Sequence, residues 1–231
     1  MTSTDIKISK ATLSILKNFA GMNSNILIKP GNVIKTITPS RSGMAEAVIE
    51  ETFDVEFGIW DLNKFLGVVS LFSNPVFEFG EKSVKIYGGQ SGSGSVVNYF
   101  YSEPRLLTYP SKSVNMPPTT VKTVMEEGMF DDLSRISSVL QLPDISFRSQ
   151  GTTINAIVTD LKDPTSNSYT VELEGNADGA EFELNFKMEN IRVLPGDYEI
   201  SFAKNIAAQF SNQNIELNYW FAMEPNSRYT E

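Results

Sequence analysis

The chain carries one pattern twice, about 120 residues apart, so its 231 residues have to fold as two related halves rather than one continuous core. From about Lys10 to Met22, Leu13, Leu16 and Ala20 fall on one helical stripe, which Ile15 and Phe19 widen. Ser9 stands where the N-cap of that helix belongs. From about Asp131 to Gln141 the pattern returns, with Leu133, Ile136 and Leu140 at the same spacing 120 positions downstream. Alternating strands follow each helix, through Ile26 and Ile28 in one copy and Ile145 and Phe147 in the other. Each copy closes on an aromatic strand, Asn98-Tyr99-Phe100-Tyr101 and Asn218-Tyr219-Trp220-Phe221, again 120 apart.

In the middle of each copy a strand leads into a shorter helix. Ile59-Trp60 precedes one beginning at Asp61; Leu184-Asn185-Phe186 precedes one from Met188 to Leu194, stopped by Pro195-Gly196. The offset here is about 127, which predicts an insertion in the second copy. The longer Gly88–Gly94 loop of the first copy restores the original offset. Between the copies, Ser102 to Thr120 contains Pro104, Pro110, Pro117 and Pro118 and reads as an extended connector. The expected organisation is α+β, with domains at 1–103 and 121–231 joined by a connector at 104–120.

Residue types absent from the chain narrow its chemistry. With no cysteine and no histidine, it has no disulfide, thiolate or imidazole ligand, and no cysteine- or histidine-based triad. Glu50-Glu51, Glu126-Glu127 and Asp131-Asp132 are adjacent pairs, which point apart on a helix and form no carboxylate dyad; helix-end charge and solubility explain them. The Gly88–Gly94 run lacks the Gly-Lys-Ser/Thr ending of a phosphate loop and reads as a flexible hairpin. No catalytic constellation, metal site or cofactor site emerges, so a non-enzyme is expected. The amino terminus lacks a signal-peptide h-region, and the longest apolar stretch, Phe65 to Phe72, is too short to span a bilayer, so a soluble intracellular chain is expected.

A net charge of −9 is the wrong sign for a protein that coats DNA. Yet every expected helix carries a cation. Lys10 and Lys17 share one face of the first helix with Ser14 between them; Lys64, Arg135 and Arg192 fall on the other three. Any one of them suits an ordinary solvated helix face. Together they suggest a segregated field, with cations on a helical face and the acidic excess elsewhere.

Three segments, ISKATLSILKNFAGMNSNILIKPGNVI, FDVEFGIWDLNKFLGVVSLF and MENIRVLPGDYEI, closely resemble the DNA polymerase sliding clamps of T-even-type bacteriophages, and the resemblance runs from Ile8 to about Glu224. It implies a ring-forming homotrimer whose subunits each contain two similar domains, with antiparallel sheets outside and two helices per domain inside. Twelve helices about 10 Å across would then surround a hole of roughly 28 Å, wide enough for duplex DNA. The implied function is topological and sequence-independent: a ring around double-stranded DNA that tethers the phage DNA polymerase, opened by an ATP-dependent clamp loader, in the cytoplasm of the infected bacterial host.

Carried onto this sequence, the resemblance implies that Lys10, Lys17, Lys64, Arg135 and Arg192 face DNA. Partner tails would dock near the connector and the carboxy-terminal strand, at Leu106, Leu107, Tyr109, Met223 and Pro225. Subunits would join through Val96, Val97, Tyr99 and Tyr101 of one copy against Tyr169, Val171 and Leu173 of the next. Two rival readings stand beside this one. A phage structural or adaptor protein of duplicated β-rich domains would share the size and acidity but has no need of a cation on every helix. A single-strand binder stacking bases on Tyr99, Phe100, Tyr219 and Trp220 conflicts with the net charge, and those aromatics fit sheet cores better.

Overall fold

The computed structural model describes residues 5–88, 94–112, 114–119, 121–204 and 206–230. The chain divides into two compact units, residues 1–41 with 45–111, and 42–44 with 112–231. In the first, the order is β1 (Asp5–Lys7), α1 (Lys10–Met22), β2 (Ile26–Ile28), β3 (Gly31–Ile37), β4 (Gly43–Phe53), β5 (Phe57–Ile59), α2 (Leu62–Val69), β6 (Pro75–Phe79), β7 (Ser83–Gly88) and β8 (Val96–Phe100). An antiparallel sheet runs β1-β6-β7-β8, β2 pairs with β5, and β3 lies beside β4. The glycine-rich loop between β7 and β8 falls largely at 89–93, outside the described residues.

Local chemistry sets the helix ends. Ser9 Oγ accepts the Thr12 N–H at 3.2 Å, and the Asn23 N–H closes the other end on the Phe19 carbonyl at 2.9 Å. The sequence boundaries of α1 therefore hold, although its buried stripe is centred on Ile15, Leu16 and Phe19, with Leu13 at its margin. Asp61 caps α2 by accepting the Lys64 N–H at 2.9 Å, and Leu62, Phe65, Leu66 and Val69 turn inward. Phe65 meets Phe77 of β6 and Tyr99 of β8 at ring centroid distances of 6.3 and 5.1 Å, which fixes α2 onto the sheet.

The second unit comprises β9 (Val121–Met125), α3 (Met129–Leu140), β10 (Asp144–Gln150), β11 (Thr153–Thr159), β12 (Tyr169–Asn176), β13 (Glu181–Lys187), a 3₁₀ turn at Met188–Asn190, β14 (Tyr198–Ala203), β15 (Ala207–Asn212), β16 (Leu217–Ala222) and β17 (Arg228–Thr230). Its strands lie in the order β17-β13-β10-β11-β12-β9-β14-β15-β16. The duplication is visible in the pairing. The run β9-β14-β15-β16 reproduces β1-β6-β7-β8, and β10 with β13 reproduces β2 with β5. The connection between β11 and β12, residues 160–168, is longer than its counterpart at 38–42 and supplies part of the offset drift.

Two expectations about the second copy need correction. Met188 to Leu194 is not a fourth α-helix: only the single 3₁₀ turn at Met188–Asn190 forms, and residues 191–194 run on without regular structure. The segment is too short to repay nucleation, and Pro195 disfavours helical backbone at Leu194. The other helix starts at Met129, two residues earlier than expected, and its stripe fades toward the end: Leu133 is buried, but Val139 is 75% exposed and Leu140 42%.

The start of the connector is built into the first unit. The Ser102 N–H bonds the Gly58 carbonyl at 2.8 Å, and Thr108 is held on both sides by asparagines. Asn23 Nδ2 donates to the Thr108 carbonyl at 3.0 Å, while the Thr108 N–H reaches Asn25 Oδ1 at 2.9 Å. Leu107 lies between, only 8% exposed. A Cβ on Gly58 would sit 2.5 Å from Leu107 Cδ1 and 2.6 Å from the Ser102 carbonyl oxygen. Gly58→Ala should therefore lower the unfolding free energy by about 1–3 kcal/mol, read from the urea midpoint. Leu107→Ala in addition should not restore it, because the Ser102 backbone still blocks the new methyl.

Candidate nucleic-acid interface

Among the described residues no three carboxylates gather as a metal site, and no helix is long and apolar enough to cross a membrane. What stands out instead is the helical surface. On α1, Lys10, Ser14 and Lys17 are exposed along one face while Ile15, Leu16 and Phe19 are buried. The two helices of the first unit pack against each other, so Lys64 on the exposed side of α2 belongs to the same helical layer. Lys64 Nζ lies 3.1 Å from Asp61 Oδ2. Because the Lys64 backbone and side chain both donate to it, the Asp61 carboxyl titrates below the usual range. On α3, Arg135 pairs with Asp132 one turn back in the same way. Both ion pairs are exposed, hence weak, and a phosphate can displace the carboxylate at little cost.

Arg192, expected on a helix, lies instead on the irregular stretch after the 3₁₀ turn, with Nε 3.3 Å from the Glu189 carbonyl. In the first unit α2 packs against α1; in the second, the shortened segment leaves a hollow of about 520 Å³ beside α3. Ser134, Ser138 and Gln141 line it from α3 and its C-cap, and Lys187 and Arg192 from the opposite side. Lys187 pairs with Asp144, whose side chain is almost wholly buried and also accepts the Leu161 N–H at 3.0 Å. The lysine's own side-chain hydrogen bond to the Asp144 carboxylate pushes it above its ordinary range. Neither partner of this pair was singled out from sequence; 43 residues separate them and only the β10–β13 register brings them together.

A third residue missed in the sequence is Glu51. It was grouped with Glu50 as surface charge, yet Glu50 is exposed and Glu51 is buried on β4. Its Oε1 accepts the Ser9 N–H at 2.5 Å and its Oε2 accepts the Thr12 hydroxyl at 2.5 Å. No local pattern announces a contact across 42 residues.

Several strand edges are unpaired among the described residues, and two of them carry residues expected at the subunit joint. β8 is the last strand of its sheet and pairs only with β7, leaving Val96 and Phe100 52% and 71% exposed. Phe100 is thus no core residue, in contrast to Tyr219, which is fully buried. Tyr99 points inward, its hydroxyl donating to the Asp61 carbonyl at 3.3 Å, and burial raises the Tyr101 hydroxyl to about 12. Along β12, Tyr169 to Leu173 pair with β11, whereas β9 takes up the other side only from Glu174 onward. Val97, Tyr169 and Val171 are half-buried there, and Leu173 is buried.

The five expected docking residues divide unevenly. Leu106 is 58% exposed and available, and Tyr109 is half-buried with Lys29 Nζ 5.2 Å above its ring. Leu107 is corrected: it fills the space over Gly58 and offers nothing to a partner. In the second unit Met223 is half-buried, its N–H bonded to the Ile206 carbonyl at 3.0 Å, and Pro225 is exposed.

Residues 7–75 match the family model of the DNA polymerase processivity factor. The sliding clamp of Vibrio phage KVP40 is 30% identical over 225 residues, covering 95% of this chain and 99% of that protein. The sliding clamp of Enterobacteria phage T4 is 29% identical over 233 residues, covering 97% and 99%. Among solved structures, Proliferating Cellular Nuclear Antigen from Entamoeba histolytica shares the fold at a TM-score of 0.73 and 10% identity, across 97% of this chain and 100% of that one. A. fulgidus PCNA, solved with the C-terminal region of FEN-1 bound, does so at 0.70 and 16%, across 97% and 99%. A duplicated antiparallel fold with cations on its helices, and near full-length similarity to phage clamps, leads to one family: the chain belongs to the sliding clamps, the DNA polymerase processivity factors of T4-like phages.

Proposed function

We propose that three copies of this processivity clamp close into a ring around duplex DNA, with the helical layers turned toward the phosphates, and so keep the phage polymerase on its template. The observation that carries this reading is the charge distribution. A chain of net charge −9 still presents Lys10, Lys17 and Lys64 on one exposed helical layer, and Arg135 on α3. Loose, sequence-blind phosphate contacts suit a ring that has to slide. With three α-helices among the described residues of each chain, the expected twelve become nine, with a single 3₁₀ turn in each remaining place. The protein acts as a non-catalytic accessory, and its place of work is the cytoplasm of the infected host. An ATP-dependent loader supplies the energy to open the ring.

The experiment is loss of the loaded protein from circular DNA, before and after a single cut, at low and moderate salt. Retention on the closed circle should be long and only weakly salt-dependent; linearisation should release the protein within the time it needs to slide off an end. Equal loss rates from circle and linear DNA would sink topological linkage.

For the subunit joint, the open edge of β8 and the open stretch Tyr169–Leu173 of β12 each need a strand partner, and pairing one with the other in the next copy satisfies both ladders. Val97→Pro or Val171→Pro should therefore shift the mass in solution from trimer toward monomer while the far-ultraviolet circular dichroism stays close to the parent. Trimers of unchanged concentration dependence in both variants would reject the pairing.

The domain organisation we propose is two clamp domains, 1–103 and 121–231, joined by a connector at 104–120 whose first residues are anchored to the first domain. A. fulgidus PCNA binds the C-terminal region of FEN-1; by analogy, polymerase and loader tails dock on apolar residues of each unit, the exposed Leu106 and half-buried Tyr109 of the first and the half-buried Met223 and exposed Pro225 of the second. Leu106→Ser should reduce stimulation of the polymerase severalfold with the oligomeric mass unchanged, since few apolar anchors dominate such interfaces. Full stimulation would move the docking site elsewhere.

A further inference from the structure

A buried carboxylate, Glu51, meets the first turn of the first helix. The first turn of α1 needs acceptors for its N–H groups, and Ser9 Oγ supplies one of them to Thr12. Glu51 adds two more contacts from a different element: β4 delivers Oε1 to the Ser9 N–H and Oε2 to the Thr12 hydroxyl, both at 2.5 Å. A buried charge is tolerated only when its oxygens are satisfied, and here each has a short hydrogen bond and the positive end of a helix dipole beside it.

A cap from the same segment, such as Ser9, moves with the helix and cannot fix its direction. A cap from β4 can. Glu51 holds the backbone at Ser9, directly before Lys10, and the side chain at Thr12, so it sets both the rotation of α1 and its height over the strand. Lys17 lies two turns along the same exposed face and inherits that setting. On α3 the corresponding place is taken by Gly128, at φ +92, with no side-chain cap.

We infer that Glu51 is a positioning residue for the DNA-facing cations Lys10 and Lys17, acting through the first turn of α1. This rests on the reading that the α1 face meets DNA, and the test separates the two. The probe is a short fluorescein-labelled duplex at low salt, bound to the full-length trimer and followed by anisotropy. Lys10→Ala with Lys17→Ala should weaken binding; if it does not, the DNA-facing reading fails and this inference falls with it. Glu51→Ala should weaken binding about threefold in the lysine-bearing protein and cause no further loss in the Lys10→Ala/Lys17→Ala background. Glu51→Gln can still accept from Ser9 and donate to Thr12, so it should bind close to the parent.

An equal loss from Glu51→Ala in both backgrounds would mean general damage and overturn the inference. No loss in the lysine-bearing protein would overturn it too. If Glu51→Ala does not assemble, Thr12→Val, which removes one of the two partners, is carried through the same pair of backgrounds. There the same two outcomes decide the matter.

Discussion

The position of α2, and with it that of the exposed Lys64, depends on aromatic side chains packed into the sheet interior, and rings fill the core of the second unit as well. In the first unit, Phe65 of α2 sits against Phe77 and Tyr99, and a second cluster joins Phe53, Phe57 and Phe79 with ring centroids 4.9–5.5 Å apart. In the second, Phe147 is surrounded by Phe186, Phe202 and Phe210 at 5.1–6.3 Å. Such rings combine a large buried area with directional edge-to-face contact, so they fix distance and orientation together. The hydroxyls of two tyrosines in the same cluster, Tyr198 and Tyr219, extend the effect. Tyr219 accepts the Leu194 N–H at 3.0 Å, and Tyr198 donates to the Leu194 carbonyl at 2.6 Å, tying down the irregular stretch that replaces a helix.

How much of this was legible in the sequence follows the range of the interaction. Period and capping are local, so α1 was readable to its last residue from Ser9 and the Ile15–Phe19 stripe, and α2 from Asp61. The duplication was readable because its landmarks recur at nearly fixed spacing. The Met188 stretch misled because its apolar residues mimic a helical stripe, while the length available before Pro195 could not sustain one. Glu51 and the Lys187–Asp144 pair were missed, and Leu107 was given to a partner instead of the core, for a different reason. Each depends on a contact across roughly 40 residues or more, which only the tertiary fold creates.

Electrostatics in this molecule are arranged more by geometry than by total charge. The cations on α2 and α3 are each held by a carboxylate one turn earlier, so the free surface is close to neutral there until a stronger anion arrives. The buried carboxylates do the opposite task. Glu51 and Asp144 are buried and hold backbone N–H groups of elements distant in sequence, so they act as joints.

The two open strand edges have a consequence for symmetry. They are unlike: one is β8 of the first unit, the other the beginning of β12 in the second. A surface that mates with a different surface on the next copy cannot make a closed two-fold dimer through that contact; it propagates head to tail until rotation brings the last copy back to the first. Every copy in such an assembly faces the same way around the axis. Its two sides are therefore chemically distinct, and a partner that recognises one of them is given a direction along whatever passes through the middle.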